Sequence, residues 1–381
     1  MTESLGADWD PRSADVLADQ IAAYDQMRAT CPVAHDANGQ WSVFRHDDVV
    51  RILRDHDDFS NAVSVHVAVP NGMDPPQHTA YRAVIDRYYT PERMARLEPQ
   101  LRGIATELIA GLERGAPLEV MSELAEPFAM ATQNEFMGWP NDLAAPLIEW
   151  NKRNHAAILS QDRERISAVA LEFDGHIREQ LEAREGTVID DVTAELMRET
   201  VNGRRLTDTE IVAIIRNWTV GELGTMAASF GIIVDFLAEH PEVQAQLRAN
   251  PDLAEQASDE ILRIHAPLIS NRRRTTRTVV LGNRDIPADE RVSVVWASAN
   301  RDESVFGDPD EFRLDRDPEA NLLYGKGIHA CPGAPLARLE FRVFLEVLLA
   351  QTSAIQPVPE ASKVRAVFPG SGWSQLSVTL V

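Results

Sequence analysis

Apolar residues recur at helical spacing along most of this chain and at strand spacing only in short runs. Between Asp15 and Thr30, the positions Val16, Ile21, Ala22, Met27 and Ala29 describe an amphipathic helix closed by Cys31-Pro32. Trp41 to Phe44 reads as a short strand, and Asp47 as the cap of a second helix carrying Val49, Val50, Ile52 and Leu53. From Asn61 to Asp74, Val63, Val65, Val67 and Val69 alternate with Ser64, His66 and Ala68, which predicts extended backbone. From Leu97 to Glu199 the pattern is helical, broken at Gly115-Ala116-Pro117, Trp139-Pro140 and Glu185-Gly186. Stripes such as Ile104, Leu108 and Leu112 are core-facing.

Thr207 with Glu210 forms a capping signal that opens the longest pattern, through Ile211, Ile214, Trp218, Leu223 and Phe230 to Leu237. It stops at His240-Pro241, and its length predicts a helix crossing the whole molecule. After Pro267 the period changes: Asn271 to Arg274, Thr278 to Leu281 and Val292 to Val295 read as strands, followed by a last long helix, Leu336 to Leu349, and a strand-like tail, Trp373 to Val381. The pattern predicts a mainly α fold with a small β region (α+β), in a single domain over residues 1–381.

Composition narrows the function. With 37 Lys plus Arg against 59 Asp plus Glu, the formal charge of −22 argues against nucleic acid or an anionic membrane as partner. The two cysteines, Cys31 and Cys331, form no disulfide or zinc spacing, which fits a reducing cytoplasm. No run reaches the about 18 to 20 apolar residues of a membrane span.

The chemistry concentrates at Tyr324-Gly-Lys-Gly-Ile-His-Ala-Cys-Pro-Gly333. Gly325 and Gly327 permit positive φ and close approach of the backbone to a flat ligand. Cys331 stands at the start of a helix, where unpaired amide N–H groups can stabilise a thiolate and tune a metal bound to it. A lone cysteine is ordinarily a buried free thiol; the glycines, Lys326 and His329 around it point to a ligand instead.

This stretch resembles the cysteine loop of the cytochrome P450 family, with Tyr324 where the family usually has phenylalanine. The resemblance extends over nearly the whole chain and implies a haem cofactor, heme b, with Cys331 ligating its iron. Asp74-Pro75-Pro76-x-His78 with Arg82 resembles a motif in which the histidine and arginine bind a haem propionate; residues four apart share a helix face, and the arginine can meet a carboxylate as a fork. His329 and one arginine of Arg272-Arg273-Arg274 complete that set by resemblance. Spacing back from Gly282-Asn283 favours Arg273, and alternation puts Arg272 and Arg274 on the other face. Glu260-x-x-Arg263 with Arg316 resembles the family's structural ion network.

Gly221-Glu222-Leu223-Gly224-Thr225 resembles the oxygen-binding groove, where small residues widen the helix, and Thr225 falls on the family's threonine. Gly224 replaces the acid that normally precedes it. Glu222, three residues before Thr225, either forms a displaced proton relay or faces a structural arginine, with water or hydrogen peroxide supplying the protons. The resemblance implies a monooxygenase taking a small-molecule substrate, O2, and electrons from NAD(P)H through a reductase and a ferredoxin or flavodoxin, as a cytoplasmic monomer with no membrane partner. Lys326, Arg338 and Arg342 are candidates for docking the electron carrier. The valine-rich segment and uncharged Pro267 to Ile269 suggest a compact apolar pocket, with His66 a candidate to reach it. A peroxygenase is the nearest alternative; a non-catalytic haem sensor or carrier is more remote.

Overall fold

The computed structural model describes residues 7–64, 67–359, 361, 363–368 and 370–381. Its longest helix runs unbroken from Asp208 to Glu239. Thr207 Oγ1 accepts the Glu210 N–H, and the Glu210 carboxylate accepts the Thr207 N–H at 2.8 Å, so the capping box forms as the sequence predicts. This core helix is long and apolar enough to span a bilayer by length and composition, contrary to expectation, but 72% of its most apolar window is buried against other helices. Phe230 shows why it is buried. Its ring packs edge-on against Phe128 and Phe341, with centroids 5.0 and 5.3 Å away, and meets Phe344 at 4.7 Å. These partners come from the helix Glu126–Met137 and from the cysteine helix, Ala334–Gln351.

The β region is small and assembled from distant segments. One five-stranded sheet runs in the order Val33–His35, Gln40–Val43, Arg291–Val295, Ser270–Thr275, Phe59–Ser60. Val279–Leu281 and Arg284–Ile286 form a hairpin whose two turn residues, Gly282 and Asn283, both have positive φ, as the favoured two-residue turn requires. The tail divides into Trp373–Gln375 and Ser377–Leu380. The second of these lies between Ile355–Pro357 and Pro117–Glu119, so the break read at Gly115 to Pro117 leads into a strand.

Three local expectations change. The first helix divides at Asp19, whose backbone leaves helical geometry while its carboxylate caps Gln20–Thr30 through the Ala22 N–H. Asp47 does not cap the helix His46–Arg54; it sits in the first turn, and the His46 N–H instead donates to Asp302 at 3.0 Å. The alternating valines fall in no strand among the described residues, which exclude Val65, and the segment ends in a turn at Pro70 to Gly72. Val69 is buried there and Val67 exposed, whereas His66 lies outside the described residues.

Candidate active site

The cysteine loop is a set of tight turns. The Cys331 N–H donates to Tyr324 O at 2.7 Å, which closes the loop, and Gly325 and Gly327 have φ of 71° and 72°. A Cβ on Gly327 would collide with the Leu53 carbonyl, so its close approach is to a neighbouring helix and not to a ligand. Gly325 sits over Trp296, where a Cβ would come 3.7 Å from the ring. The loop ends in the cysteine helix, with Gly333 at its N-cap. Cys331 is deep in the protein yet solvent-accessible, so its sulfur faces an internal opening. Burial pushes the thiol up, while hydrogen bonds from the Gly333 and Ala334 N–H groups draw it down.

The Tyr324 hydroxyl finds its partner in Asp259 at 3.2 Å, and the Arg338 guanidinium lies 4.7 Å from the Tyr324 ring centre while pairing with Asp259 at 2.9 Å. Behind the loop, Glu260 receives Arg263 Nε and Arg316 Nε, each at 2.8 Å. Arg263 also donates to the carbonyls of Asn300 at 2.8 Å and Pro309 at 3.0 Å, which ties the helix Ala254–His265 to the approach to the cysteine loop.

At one edge of the opening, five charged or titratable groups converge. His78 and His329 meet ring to ring at 4.2 Å, and the Nε2 atom of each is buried without a partner. Burial lowers both imidazoles, His329 to about 3, with His78 and Arg273 adding to the effect on His329. Arg273 is the one buried member of its run, Arg272 and Arg274 lying on the exposed face, so the strand register follows the expectation. Burial lowers it to about 10 against the opposing pull of Asp74. Arg82 donates to Asp86 through Nε and to Ile328 O at 3.1 Å through Nη1, which spends Nε but leaves N–H groups on Nη1 and Nη2 for a carboxylate. Unpaired buried donors beside two arginines fit an anionic carboxylate. Together with a cysteine sulfur under two N–H groups, they fit a haem and its propionates.

On the far side the core helix changes its winding. Gly221 to Met226 form a π-bulge, the widening anticipated from the small residues. Asn151, on the helix Ala144–Ser160, donates to the Leu223 carbonyl at 3.1 Å. Gly224 is exposed in the middle of a buried helix, and a Cβ there would meet nothing within 4 Å. Thr225 is half-buried beside it. Glu222 points neither to an arginine nor to solvent. It meets Glu340 of the cysteine helix, and burial raises both carboxyls. Glu340 was missed in the sequence, although a lone acid one turn from Leu336 and Phe344, within an otherwise apolar face, was the available signal.

The positions expected to dock an electron carrier are engaged within the chain. Lys326 bonds the Glu319 carbonyl, Arg338 pairs with Asp259, and Arg342 pairs with Glu98 at 2.7 Å.

The cysteine loop, the cluster of two histidines with Arg82 and Arg273, and the bulged core helix fit a haem-thiolate oxidoreductase. The comparisons with known proteins agree: the family model for cytochrome P450 matches residues 124–357. The chain is 32% identical to the cyclomarin C epoxidase CymV of Salinispora arenicola, over 83% of this chain and 84% of that protein. It is also similar to the erythromycin C-12 hydroxylase of Saccharopolyspora erythraea, 32% identical over 88% of each. Among solved structures, CYP109Q5 from Chondromyces apiculatus superposes with a TM-score of 0.86 at 32% identity, covering 98% of both chains. The chain belongs to the cytochrome P450 family, and it is a monooxygenase of the haem-thiolate type.

Proposed function

We propose that this chain binds heme b through Cys331 and inserts one oxygen atom from O2 into a small, apolar or aromatic organic molecule. The observation that carries the reading is Cys331, accessible though deep in the protein, under the Gly333 and Ala334 N–H groups and near enough to the π-bulge at Gly221 to Met226 to feel the Glu222 charge. When bound, the haem with its thiolate supplies oxygen activation. Cys331 holds the iron, and Gly325 shapes the loop beneath it. His78, Arg82, Arg273 and His329 hold the propionates, whose charge gives the orphaned Nε2 atoms acceptors. Thr225 orients a proton donor in the groove, Gly224 leaves space beside it, and Glu222 is the nearest acid.

Electrons come from NAD(P)H through a reductase and a ferredoxin or flavodoxin, and the enzyme works as a single-domain cytoplasmic monomer. Because the basic residues of the cysteine side are already paired, docking of the carrier depends on surface shape more than on free positive charge. The test is the reduced, carbon monoxide-treated holoenzyme: thiolate ligation gives a red-shifted Soret band, and its absence overturns the reading. Small ligands that displace water from the haem, read as a spin-state shift, then identify the substrate class. Gly224 supports a second reading, a peroxygenase, in which hydrogen peroxide brings both oxygen and protons. Turnover with peroxide and no reductase would establish it, and failure to turn over would reject it.

A further inference from the structure

Glu222 and Glu340 form a buried carboxyl pair between the two sides of the site. Glu340 is fully buried and Glu222 is 7% exposed. Each lies within hydrogen-bonding reach of the other. Glu222 Oε1 and both oxygens of Glu340 lack a conventional donor among the described residues. The other polar group beside Glu340 is Thr132, whose hydroxyl donates to the carbonyls of Phe128 and Ala129 at 3.1 and 3.0 Å. Tyr89 feels both carboxyls and Cys331 feels Glu222, and neither brings a positive charge. Among the described residues, no arginine, lysine or histidine is a leading influence on either acid.

Two carboxylates in contact, without a cation and out of water, cannot both ionise; they keep a proton between them. The same proton removes the missing-donor problem, since a protonated carboxyl donates to its partner. The pair also lies where the site lacks an acid. Glu222 is part of the π-bulge that holds Gly224 and Thr225, whereas Glu340 is on the helix that begins beside Cys331.

We propose that Glu222 and Glu340 share one proton at neutral pH and that this pair is the acid of the groove, in place of a carboxyl at residue 224. Glu222 passes the proton to an acceptor on the Thr225 side. Glu340 touches neither substrate nor haem; it is a positioning residue that acts through Glu222. The transfer moves one proton and no electron, and as Glu222 gives up its proton the pair takes one up from solvent water, so that the two carboxylates are never left charged together. This rests on the monooxygenase reading above.

Infrared difference spectroscopy of the holoenzyme in H2O and D2O, with Glu222→Gln and Glu340→Gln, tests it. The wild type should show, at neutral pH, a carbonyl stretch of a protonated carboxyl that shifts in D2O. Both variants should lose that band, because a glutamine amide donates to the remaining carboxylate and lets it ionise. Product formed per electron pair should fall several-fold in both, while the substrate-induced spin shift stays. A band absent from the wild type, or unchanged in both variants, overturns the proposal. Should one variant fail to fold, the other decides alone, since each removes the pair. The Soret band of the carbon monoxide complex separates the two levels: its loss in the wild type rejects the haem-thiolate reading, and its retention with an unchanged infrared band rejects only the pair.

Discussion

On the cysteine side of the site, the polar groups are tied to one another. Tyr324 bonds Asp259, Asp259 bonds Arg338, and Glu260 binds both Arg263 and Arg316. On the core-helix side the reverse holds: Gly224 faces open space, Glu222 and Glu340 meet each other with only the Thr132 hydroxyl beside them, and the helix abandons its regular ladder at the bulge. The difference matches what each side does in the proposed function. A metal ligand must be held in one geometry, and a buried, fully bonded network provides that. A groove that admits oxygen and passes protons needs room and groups able to change protonation, which a saturated network does not allow.

The largest expected effect is at the ligand. Cys331→Ser should abolish monooxygenation and the thiolate Soret band, whereas a variant that kept both would break the comparison at its centre. Next comes the network behind the loop. Glu260→Ala strands Arg263 and Arg316 without a carboxylate, and removing one partner of a buried ion pair costs about 3–5 kcal/mol. Chemical denaturation should show that loss, accompanied by weaker haem retention. Gly327→Ala forces a side chain into positive φ against the Leu53 carbonyl, and strain of that kind costs about 1–3 kcal/mol. A drop in melting temperature with an unchanged substrate spin shift would place the damage on the cysteine side alone.

A pH experiment probes the same framework. Burial lowers His265, at the end of the Glu260 helix, to about 4. Its folded value lies below its unfolded one, so the folded state binds fewer protons than the unfolded state as pH falls. Its contribution is complete above about pH 6.5 and declines toward pH 4, by at most a few kcal/mol. His265→Phe, which preserves the packing against Phe236, should flatten that part of the stability profile. The smallest structural effect is expected at Gly224→Asp. With nothing within 4 Å of a Cβ, folding should change by under about 1 kcal/mol, a helical aspartate differing little from glycine in propensity. Its effect should appear in the yield of product per electron pair, measured beside peroxide-driven turnover.

Much of the cysteine side was legible in the chain because its chemistry is local. Gly325, Gly327, His329 and Cys331 lie within a few residues, and the Glu260 and Arg263 pair is set by helical spacing. The choice of Arg273 among three arginines needed only strand alternation and a register. Arg82 was placed correctly near the loop but not freely: its engagement by Asp86 and Ile328 depends on how two segments meet. Glu340 escaped for the same reason, since its partner lies over a hundred residues away in the chain. The valine alternation from residue 61 shows the converse, a strand pattern whose described residues belong to no strand.

The order of helices, the capping box at Thr207 and Glu210 and the turns of the cysteine loop are properties of neighbouring residues, and the sequence alone determined them. What surrounds each buried charge was decided only by the tertiary structure. Asp302 caps a helix that Asp47 was expected to cap, Glu340 stands where an arginine was one possibility for Glu222, and the docking arginines are spent on internal acids. The physical reason is desolvation: a buried charge must be answered by whatever the fold brings to it, and that partner carries no mark of sequence proximity.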